Sequence, residues 1–500
     1  MRHAVTTQTP LMRVQSRIGP ILLACALLTA SPKLGAQSFQ GFIGYLYSLP
    51  SEQRQAAVDS FLAVTTAYPV IEHDTLANFI YTGAPSSVTV PGDANGWNPG
   101  AYAMSRVQGT SLWYYSRSFE SDARLDYKFV VNGSAWILDP RNPRQVSGGF
   151  GPNSELRMPA YIPAPEIQYD PAIAHGSLRD TTWYSVYLGN YRSIKIYTPP
   201  GYEASADSFP VAYFHDGLEY VSLASANNTI DYLIAEKLIE PVIAVFIPPV
   251  NRTNEYAGSQ MTAFSQFMVS EIVPYVDSRY RTKRSPESRA VLGASNGGNI
   301  SLWLGYHYPE TFGNIGAFSS NIVDSLSRGF SESEMKNLVL YLDLGTYDIS
   351  QLIPMVRSFI PVLASKGYLY EYHEYHEGHS WGNWRAHLDN ALKLFFGTPV
   401  TSVGPSADPH PGPEKVEIFQ NYPNPFNPTT TLTYRLDRTG HVELTVYDLL
   451  GRLVDRPFSG EAEAGLHRVL WDGSRHPSGV YLYQLTAGEF SERRKMVLVR

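Results

Sequence analysis

The stretch Ser288-Arg289-Ala290-Val291-Leu292-Gly293-Ala294-Ser295-Asn296-Gly297-Gly298 decides the fold of the central part of the chain. Its first five residues read as a short buried strand, and residues 299–306 read as a helix. Between them, a G-x-S-x-G pattern is centred on Ser295. The glycines permit a sharp strand-to-helix turn that exposes the serine hydroxyl beside a helix N-terminus. The pattern therefore predicts an α/β sheet that carries a nucleophilic serine.

A nucleophilic serine needs a base and an orienting acid, which in such sheets follow later strands. The buried-type strand over 337–345 is followed by Asp348, whereas Asp343 lies inside this strand and is interpreted as structural. The next strand, over 368–374, leads to His379 on a loop after a glycine. These positions predict Asp348 as the acid and His379 as the base.

Two further histidines precede His379, and their spacing bears on whether the site holds a metal. The run His373-Glu374-Tyr375-His376 does not have the H-E-x-x-H spacing of a zinc site. His373 and His376 are therefore interpreted as strand-end residues. The sequence predicts neither a metal nor a cofactor.

An earlier strand, over 210–214, ends in His215-Asp216-Gly217-Leu218. A backbone N–H at Gly217 or Leu218, together with that of Asn296, could donate to the oxyanion of an acyl-transfer reaction. His215 and Asp216 are interpreted as loop-shaping residues, because the later pair fits the chain order of acid and base better.

Residues 165–396 resemble the esterase D or enterochelin-esterase-like family, which includes carbohydrate esterase family one. The resemblance rests on six motifs: His215-Asp216-Gly217, Asn251 to Tyr256, Gly293 to Gly298, Tyr308 to Gly313, Gly345 to Asp348 and Gly378 to Trp381. It implies an α/β-hydrolase with the catalytic order Ser295, Asp348, His379. Family members hydrolyse feruloyl or acetyl esters on xylan, siderophore esters or small acyl thioesters. The resemblance also implies a substrate loop with Arg252, Glu255 and Trp381, while a structural ion pair of Arg252 and Glu255 is an equal alternative.

Residues 83–163 have the short alternating runs and turns of a β domain. They resemble the glycogen-binding-type module, carbohydrate-binding module family 48, through Val90 to Trp97, Tyr127 to Gly133 and Trp136 to Pro140, although Ala94 stands where the family has an aromatic residue. The resemblance implies sugar contacts by Trp97, Lys128, Trp136 and Asn153; the alternative is a module that only packs on the esterase. A three-residue loop, Asn132-Gly133-Ser134, would pair Trp136 with Val130 and place it on the face of Lys128, and we predict this loop rather than a two-residue turn.

Residues 416–500 resemble the type A C-terminal sorting domain of the type IX secretion system. The matching residues are Asn421 to Thr430, Val446 to Arg452, Pro477 to Tyr481 and the basic Arg493-Arg494-Lys495. The resemblance implies export across an outer membrane, with the secretion machinery as a partner. Together the resemblances predict an α/β-hydrolase flanked by two small β-sandwich domains of immunoglobulin-like type.

The remaining segments complete the predicted organisation. Residues 1–36 read as a signal peptide, with a lipoprotein box ending at Cys25 as a rival; residues 37–82 read as a helical segment, 164–397 as the esterase domain and 398–415 as a linker. The net charge of −7 over 500 residues argues against nucleic-acid binding, and no later run is long and apolar enough for a membrane span. The single cysteine excludes an internal disulfide.

The sequence thus predicts a secreted or cell-surface serine esterase acting on acylated plant polysaccharide. A siderophore esterase is the second enzyme hypothesis, and a surface sugar-binding protein with an inactive hydrolase domain is the non-enzyme alternative.

Overall fold

The structure, a computed structural model, describes residues 38–397, 416–419, 421, 424–449, 451–462, 465–488 and 490–499. The predicted signal peptide over 1–36, its lipoprotein rival and the linker over 398–415 lie outside the described residues. Among the described residues, no helix is long and apolar enough to cross a membrane.

The N-terminal part consists of two helices followed by short strands. Its elements are α1 (Phe39–Ser48), α2 (Ser51–Val64), β1 (Val70–Glu72), β2 (Leu76–Thr82), β3 (Val88–Thr89), β4 (Ser105–Arg106), β5 (Leu112–Ser118), β6 (Arg124–Tyr127), β7 (Phe129–Val131), β8 (Ala135–Ile137), β9 (Gln145–Gly148) and β10 (Gly151–Arg157).

The helical prediction for 37–82 is wrong beyond Val64. Pro69 cannot continue a helix, and the residues after it form β1 and β2. Strand β2 pairs with β5 along seven residues, so it belongs to the β domain. Its side chains alternate: Phe79 packs into the core of the β domain, whereas Ile80 packs against the aromatic residues of α1 and α2.

The hairpin of β7 and β8 has the three-residue loop that the sequence predicted. Val130 pairs with Trp136, and residues 132–134 form the turn between the strands. The prediction of the three-residue loop is therefore confirmed, and Trp136 lies on the face opposite to the buried Phe129.

The central part alternates strands and helices. Its elements are β11 (Ser177–Ser185), β12 (Asn190–Thr198), β13 (Val211–His215), α3 (Gly217–Ser222), α4 (Ala226–Ala235), β14 (Ile243–Ile247), α5 (Arg252–Ala257), α6 (Met261–Gln266), α7 (Val273–Arg279), β15 (Arg289–Ala294), α8 (Asn296–His307), β16 (Asn314–Phe318), α9 (Asp324–Glu332), β17 (Val339–Tyr347), α10 (Leu352–Lys366), β18 (Leu369–Gly378), α11 (Trp381–Ala386) and α12 (Leu388–Phe396).

A single sheet runs through this part in the order β11-β12-β14-β13-β15-β16-β17-β18, and β13 to β18 are parallel. Both faces are covered: Val211 and Tyr213 of β13 enter one core, whereas Ala212 and Phe214 enter the other. At its far edge β18 pairs with β6, so the sheet continues into the β domain through β6, β10 and β9. The predicted α/β-hydrolase fold with additional β domains is confirmed.

The C-terminal part packs one three-stranded and one four-stranded antiparallel sheet around its own core. Its strands are β19 (Val416–Ile418), β20 (Thr429–Leu436), β21 (Gly440–Asp448), β22 (Leu453–Ala462), β23 (Gly465–Asp472), β24 (Gly479–Ala487) and β25 (Phe490–Leu498).

Candidate active site

Ser295 lies on the sharp turn between β15 and α8. Its φ of 57° and ψ of −121° are unusual for a residue with a side chain. A Cβ on Gly293 would lie 2.5 Å from the carbonyl atoms of Gly297, so the turn closes only with glycine there. The Asn321 backbone N–H donates to the Ser295 carbonyl at 3.1 Å, and the Asn321 side chain donates to Asn296 Oδ1 at 2.7 Å. The structure thus gives Ser295 the strained, partly exposed setting of a nucleophile elbow.

His379 and Asp348 form a direct hydrogen bond. Nδ1 of His379 lies 2.7 Å from Asp348 Oδ1, and the Asp348 side chain is fully buried. The Trp384 ring packs edge-on against the His379 imidazole, with ring centroids 5.0 Å apart. Because Nδ1 is bound to Asp348, Nε2 is the ring nitrogen available for a proton transfer.

Strand order explains why these residues share one edge of the sheet. Ser295 follows β15, Asp348 follows β17 and His379 follows β18, and these strands run parallel within one sheet. The carboxyl ends of parallel strands meet at the same edge, where α/β proteins place their ligand sites. Trp384 was not singled out from the sequence; its three-residue spacing from Trp381 was the available signal, because that spacing puts both rings on one side of a helix.

The predicted oxyanion loop follows β13. Asp216 adopts a left-handed conformation, and α3 begins at Gly217. The first N–H groups of α3, at Gly217 and Leu218, and that of Asn296 at the start of α8 have no acceptor within their helices. A Cβ on Gly217 would lie 2.2 Å from the Ile247 backbone nitrogen, so this loop requires glycine. The three predicted donors thus lie at the first residues of α3 and α8, the helices that follow the neighbouring strands β13 and β15.

Arg252 connects the oxyanion loop to the nucleophile turn. Its Nε and Nη2 each donate to the Asp216 carboxylate at 2.7 Å, and Nη2 also donates to the Ala294 carbonyl at 3.1 Å. The predicted alternative, an ion pair of Arg252 with Glu255, is wrong, because Asp216 takes the guanidinium in a two-point contact.

Glu255 has a different partner, which the sequence did not reveal. It is fully buried and binds Arg192, with contacts of 3.1 and 3.3 Å, and its Oε1 also accepts the N–H of Asn251 at 3.0 Å. Glu255 therefore shapes the loop from beneath and is not exposed to a substrate. In the sequence, the only sign of a buried role for Arg192 was the alternation of side chains along β12, which points Arg192 and Tyr191 to opposite faces.

Trp381, the third predicted substrate-loop residue, is nearly buried at the start of α11. Its ring packs edge-on against Trp384 and Tyr220, and a Cβ on Gly149 would lie 3.6 Å from its indole nitrogen. Trp381 thus joins the esterase loop to the β9–β10 turn, and its role toward a substrate stays a prediction.

The other candidates take structural places. His215 is fully buried between Tyr256 and Phe264, and burial lowers its pKa to about 3, so the ring is neutral. Asp343 is buried, and desolvation raises the pKa of its carboxyl well above the ordinary value. His376 pairs with Asp122 of the β domain. Over the ranges that the structure describes, no group of three or more His, Cys, Asp or Glu side chains is arranged to hold a metal.

Two of the predicted sugar contacts meet on the surface of the β domain. The rings of Trp97 and Trp136 stack with centroids 6.5 Å apart, and Trp136 is 45% exposed. Lys128 lies between β6 and β7, whereas Asn153 lies on β10 and its Nδ2 donates to Asp126 at 2.9 Å. The structure therefore brings the two tryptophans together and ties Asn153 to an internal carboxylate.

Comparison with known proteins identifies the central domain. Residues 185–395 match the family described as "Putative esterase". This part of the chain is an esterase domain. The match assigns the protein to the carboxylic ester hydrolases, as the sequence predicted. Residues 420–499 match the secretion system C-terminal sorting domain, which supports export to the cell surface or the medium by the type IX system.

Several characterised and uncharacterised proteins are similar to this esterase. An uncharacterized Bacillus subtilis protein, YjcH, is 25% identical over 234 residues, covering 44% of this chain and 97% of that protein. An endo-1,4-beta-xylanase/feruloyl esterase of Xylanibacter ruminicola is 29% identical over 165 residues, covering 30% of this chain and 22% of that protein.

The solved structure of an enterobactin esterase from Shigella flexneri shares the fold. It has a TM-score of 0.56 at 20% identity and covers 67% of this chain and 97% of that chain. This coverage exceeds the matched esterase residues, so the shared fold extends beyond the esterase domain.

Proposed function

We propose that this esterase is a secreted or cell-surface serine hydrolase that cleaves feruloyl or acetyl esters on plant polysaccharide. Ser295 attacks the ester carbonyl, His379 accepts and returns the proton through Nε2, and Asp348 holds the imidazole. The N–H groups of Asn296 and of Gly217 or Leu218 stabilise the tetrahedral oxyanion. The observation that carries the proposal is the 2.7 Å bond of His379 to Asp348 beside a strained serine turn at one sheet edge.

Three observations favour a polysaccharide substrate over a siderophore. The sorting domain supports a location outside the cell, where plant polymer is met. The stacked Trp97 and Trp136 present aromatic surface in the β domain, and aromatic rings stack on sugars. The Xylanibacter relative, described as a xylanase/feruloyl esterase, supports the same substrate class. A siderophore ester remains the second candidate, favoured by the fold shared with the enterobactin esterase.

The test compares hydrolysis of methyl ferulate, acetylated xylan and enterobactin by the purified chain. We expect ferulate or acetate release, and we expect Ser295→Ala to lower kcat by at least three orders of magnitude while leaving the unfolding transition in place. The matched control is Ser270→Ala, an exposed serine away from the site, which should keep full activity. Hydrolysis of enterobactin alone would show that the substrate is a siderophore ester and not a polysaccharide ester. Substantial turnover by Ser295→Ala would refute the assignment of Ser295 as the nucleophile.

A further inference from the structure

A fully buried arginine crosses from the β domain to the segment that carries His379. Arg124 stands at the start of β6, where its backbone pairs with Glu377 of β18. Its side chain has no exposed surface, although it belongs to the β domain and the segment 378–382 belongs to the esterase domain. A buried charge needs polar partners to offset its lost hydration, so the partners of this guanidinium show which segments it connects.

Each of the three guanidinium nitrogens contacts a different residue. Nε lies 2.6 Å from Glu155 and Nη2 lies 2.8 Å from Asp126, both within the β domain. The remaining Nη1 donates to Ser380 Oγ at 3.2 Å. Since two carboxylates fix the fork in place, Ser380 meets a rigid donor rather than a mobile side chain.

Two glycines show how closely the β domain approaches this segment. A Cβ on Gly382 would lie 2.0 Å from Arg124 Nη1, and a Cβ on Gly378 would lie 2.1 Å from the Asp93 carboxyl carbon. On the two sides of His379, Asp93 thus packs against Gly378 and Arg124 packs against Gly382. Burial, with the Asp126 charge adding to it, raises the pKa of the Asp93 carboxyl that faces Gly378 above its ordinary value.

The segment also has hydrogen bonds within the esterase domain. Ser380 caps α11 by accepting the Asn383 N–H at 3.4 Å, and Asn383 Nδ2 donates to the Gly378 carbonyl at 3.1 Å. These bonds close the loop on itself, while Arg124 and Asp93 tie it to the neighbouring domain.

We propose that Arg124 is a positioning residue for His379. By holding Ser380 and filling the space at Gly382, it fixes the loop that presents the imidazole to Ser295, which makes the β domain part of the catalytic machinery. The inference rests on the proposed role of His379 as base, and it is additional to any sugar binding by the β domain.

The first test replaces Arg124 by lysine, which keeps the charge but cannot reach Asp126, Glu155 and Ser380 together. The matched control is Arg157→Lys, because Arg157 binds the same Glu155 at 2.7 Å from a position with a 34% exposed side chain. We expect Arg124→Lys to lower kcat at least tenfold with KM within twofold, and Arg157→Lys to leave both within twofold. Rates are counted per serine titrated with a fluorophosphonate probe, so a smaller folded fraction does not imitate the effect.

A second variant approaches the same contact from the esterase side and keeps every charge. Gly382→Ala places a methyl group where the guanidinium lies, although alanine is the better helix former of the two. Its control is Gly44→Ala, a helical glycine with open space around it. We expect Gly382→Ala to reproduce the loss of kcat and Gly44→Ala to be neutral.

Hydrogen exchange on the full chain tests the position of the loop without reference to turnover. Arg124→Lys should speed amide exchange over residues 379–386 at least tenfold relative to Arg157→Lys. Unchanged exchange, or a kcat per titrated serine equal to wild type, overturns the proposal. A wild-type chain that hydrolyses no ester and labels with no probe refutes the proposed function instead, and the exchange comparison then decides whether Arg124 holds the segment.

Discussion

Arg252 shows how one side chain can set the geometry of a site without facing the chemistry. It binds Asp216 beside the predicted oxyanion donors and the Ala294 carbonyl beside Ser295. A single planar group thus sets the spacing between donor loop and nucleophile. This spacing matters because oxyanion donors act only within hydrogen-bond distance of the developing charge.

We expect Arg252→Lys to lower kcat about 10- to 100-fold, because an ammonium cannot make the two-point bond to Asp216 and also reach Ala294. Steady-state kinetics on the preferred ester measure the change. Arg179→Lys is the matched control, since Arg179 forms an exposed pair with Glu203. Equal activity of both variants would contradict the role given to Arg252.

His215 makes stability depend on pH. Its folded pKa is about 3 and an unfolded histidine titrates near 6.5, so between these values the unfolded chain binds more protons. The contribution of the neutral His215 ring to the free energy of unfolding is complete above pH 6.5 and is lost as the pH falls toward 3. We expect the wild-type free energy of unfolding to drop about 2–3 kcal/mol more than that of His215→Leu between pH 7 and 4.5. Urea unfolding at both pH values measures this, and parallel curves for the two proteins would count against it.

The candidate active-site residues lie at the carboxyl ends of the parallel strands. The turns after these strands decide how closely the following helices pack against the sheet. After β13 the chain turns directly into α3, and the turn touches the backbone of β14. After β15 it turns directly into α8. Both turns work because glycine leaves room for another backbone.

We expect Gly217→Ala to lower kcat at least tenfold, because the added Cβ would displace α3 from β14 and move the Leu218 N–H. The same substitution at the unobstructed Gly44 should be neutral. Kinetics together with a thermal unfolding scan separate lost activity from lost folding, and a fully active Gly217→Ala would remove this loop from the oxyanion site.

The molecule joins its two accessory domains to the esterase in different ways. The N-terminal β domain shares a continuous sheet with the esterase through β6 and β18. The C-terminal domain has its own core and its own two sheets. The N-terminal β domain therefore shares its sheet with the esterase domain, whereas the C-terminal domain packs around a core of its own.

We expect a chain ending at Gly397 to keep kcat/KM within twofold of the full chain, because none of the C-terminal residues that the structure describes belongs to the candidate active site. A chain lacking residues 38–163 should lose activity and stability, because β18 would lose its neighbour β6 and Ser380 would lose its bond to the buried Arg124. Activity and thermal unfolding of both truncations measure this, and an active chain without the β domain would contradict it.

The sequence by itself determined what local patterning can encode. The strand, serine turn and helix around Ser295, the loops with Asp348 and His379, and the pairing of Trp136 with Val130 all follow from preferences acting within about ten residues. The esterase and sorting domains were predicted from motifs of the same short range.

Only the tertiary structure decided the pairings between distant segments. Arg252 binds Asp216 rather than Glu255, Glu255 binds Arg192, and Arg124 reaches Ser380 across 256 positions of sequence. Strand β2 exists because β5 pairs with it. Such partners are chosen by which surfaces pack and which buried charges need compensation, and neither is fixed by the periodicity of a single segment.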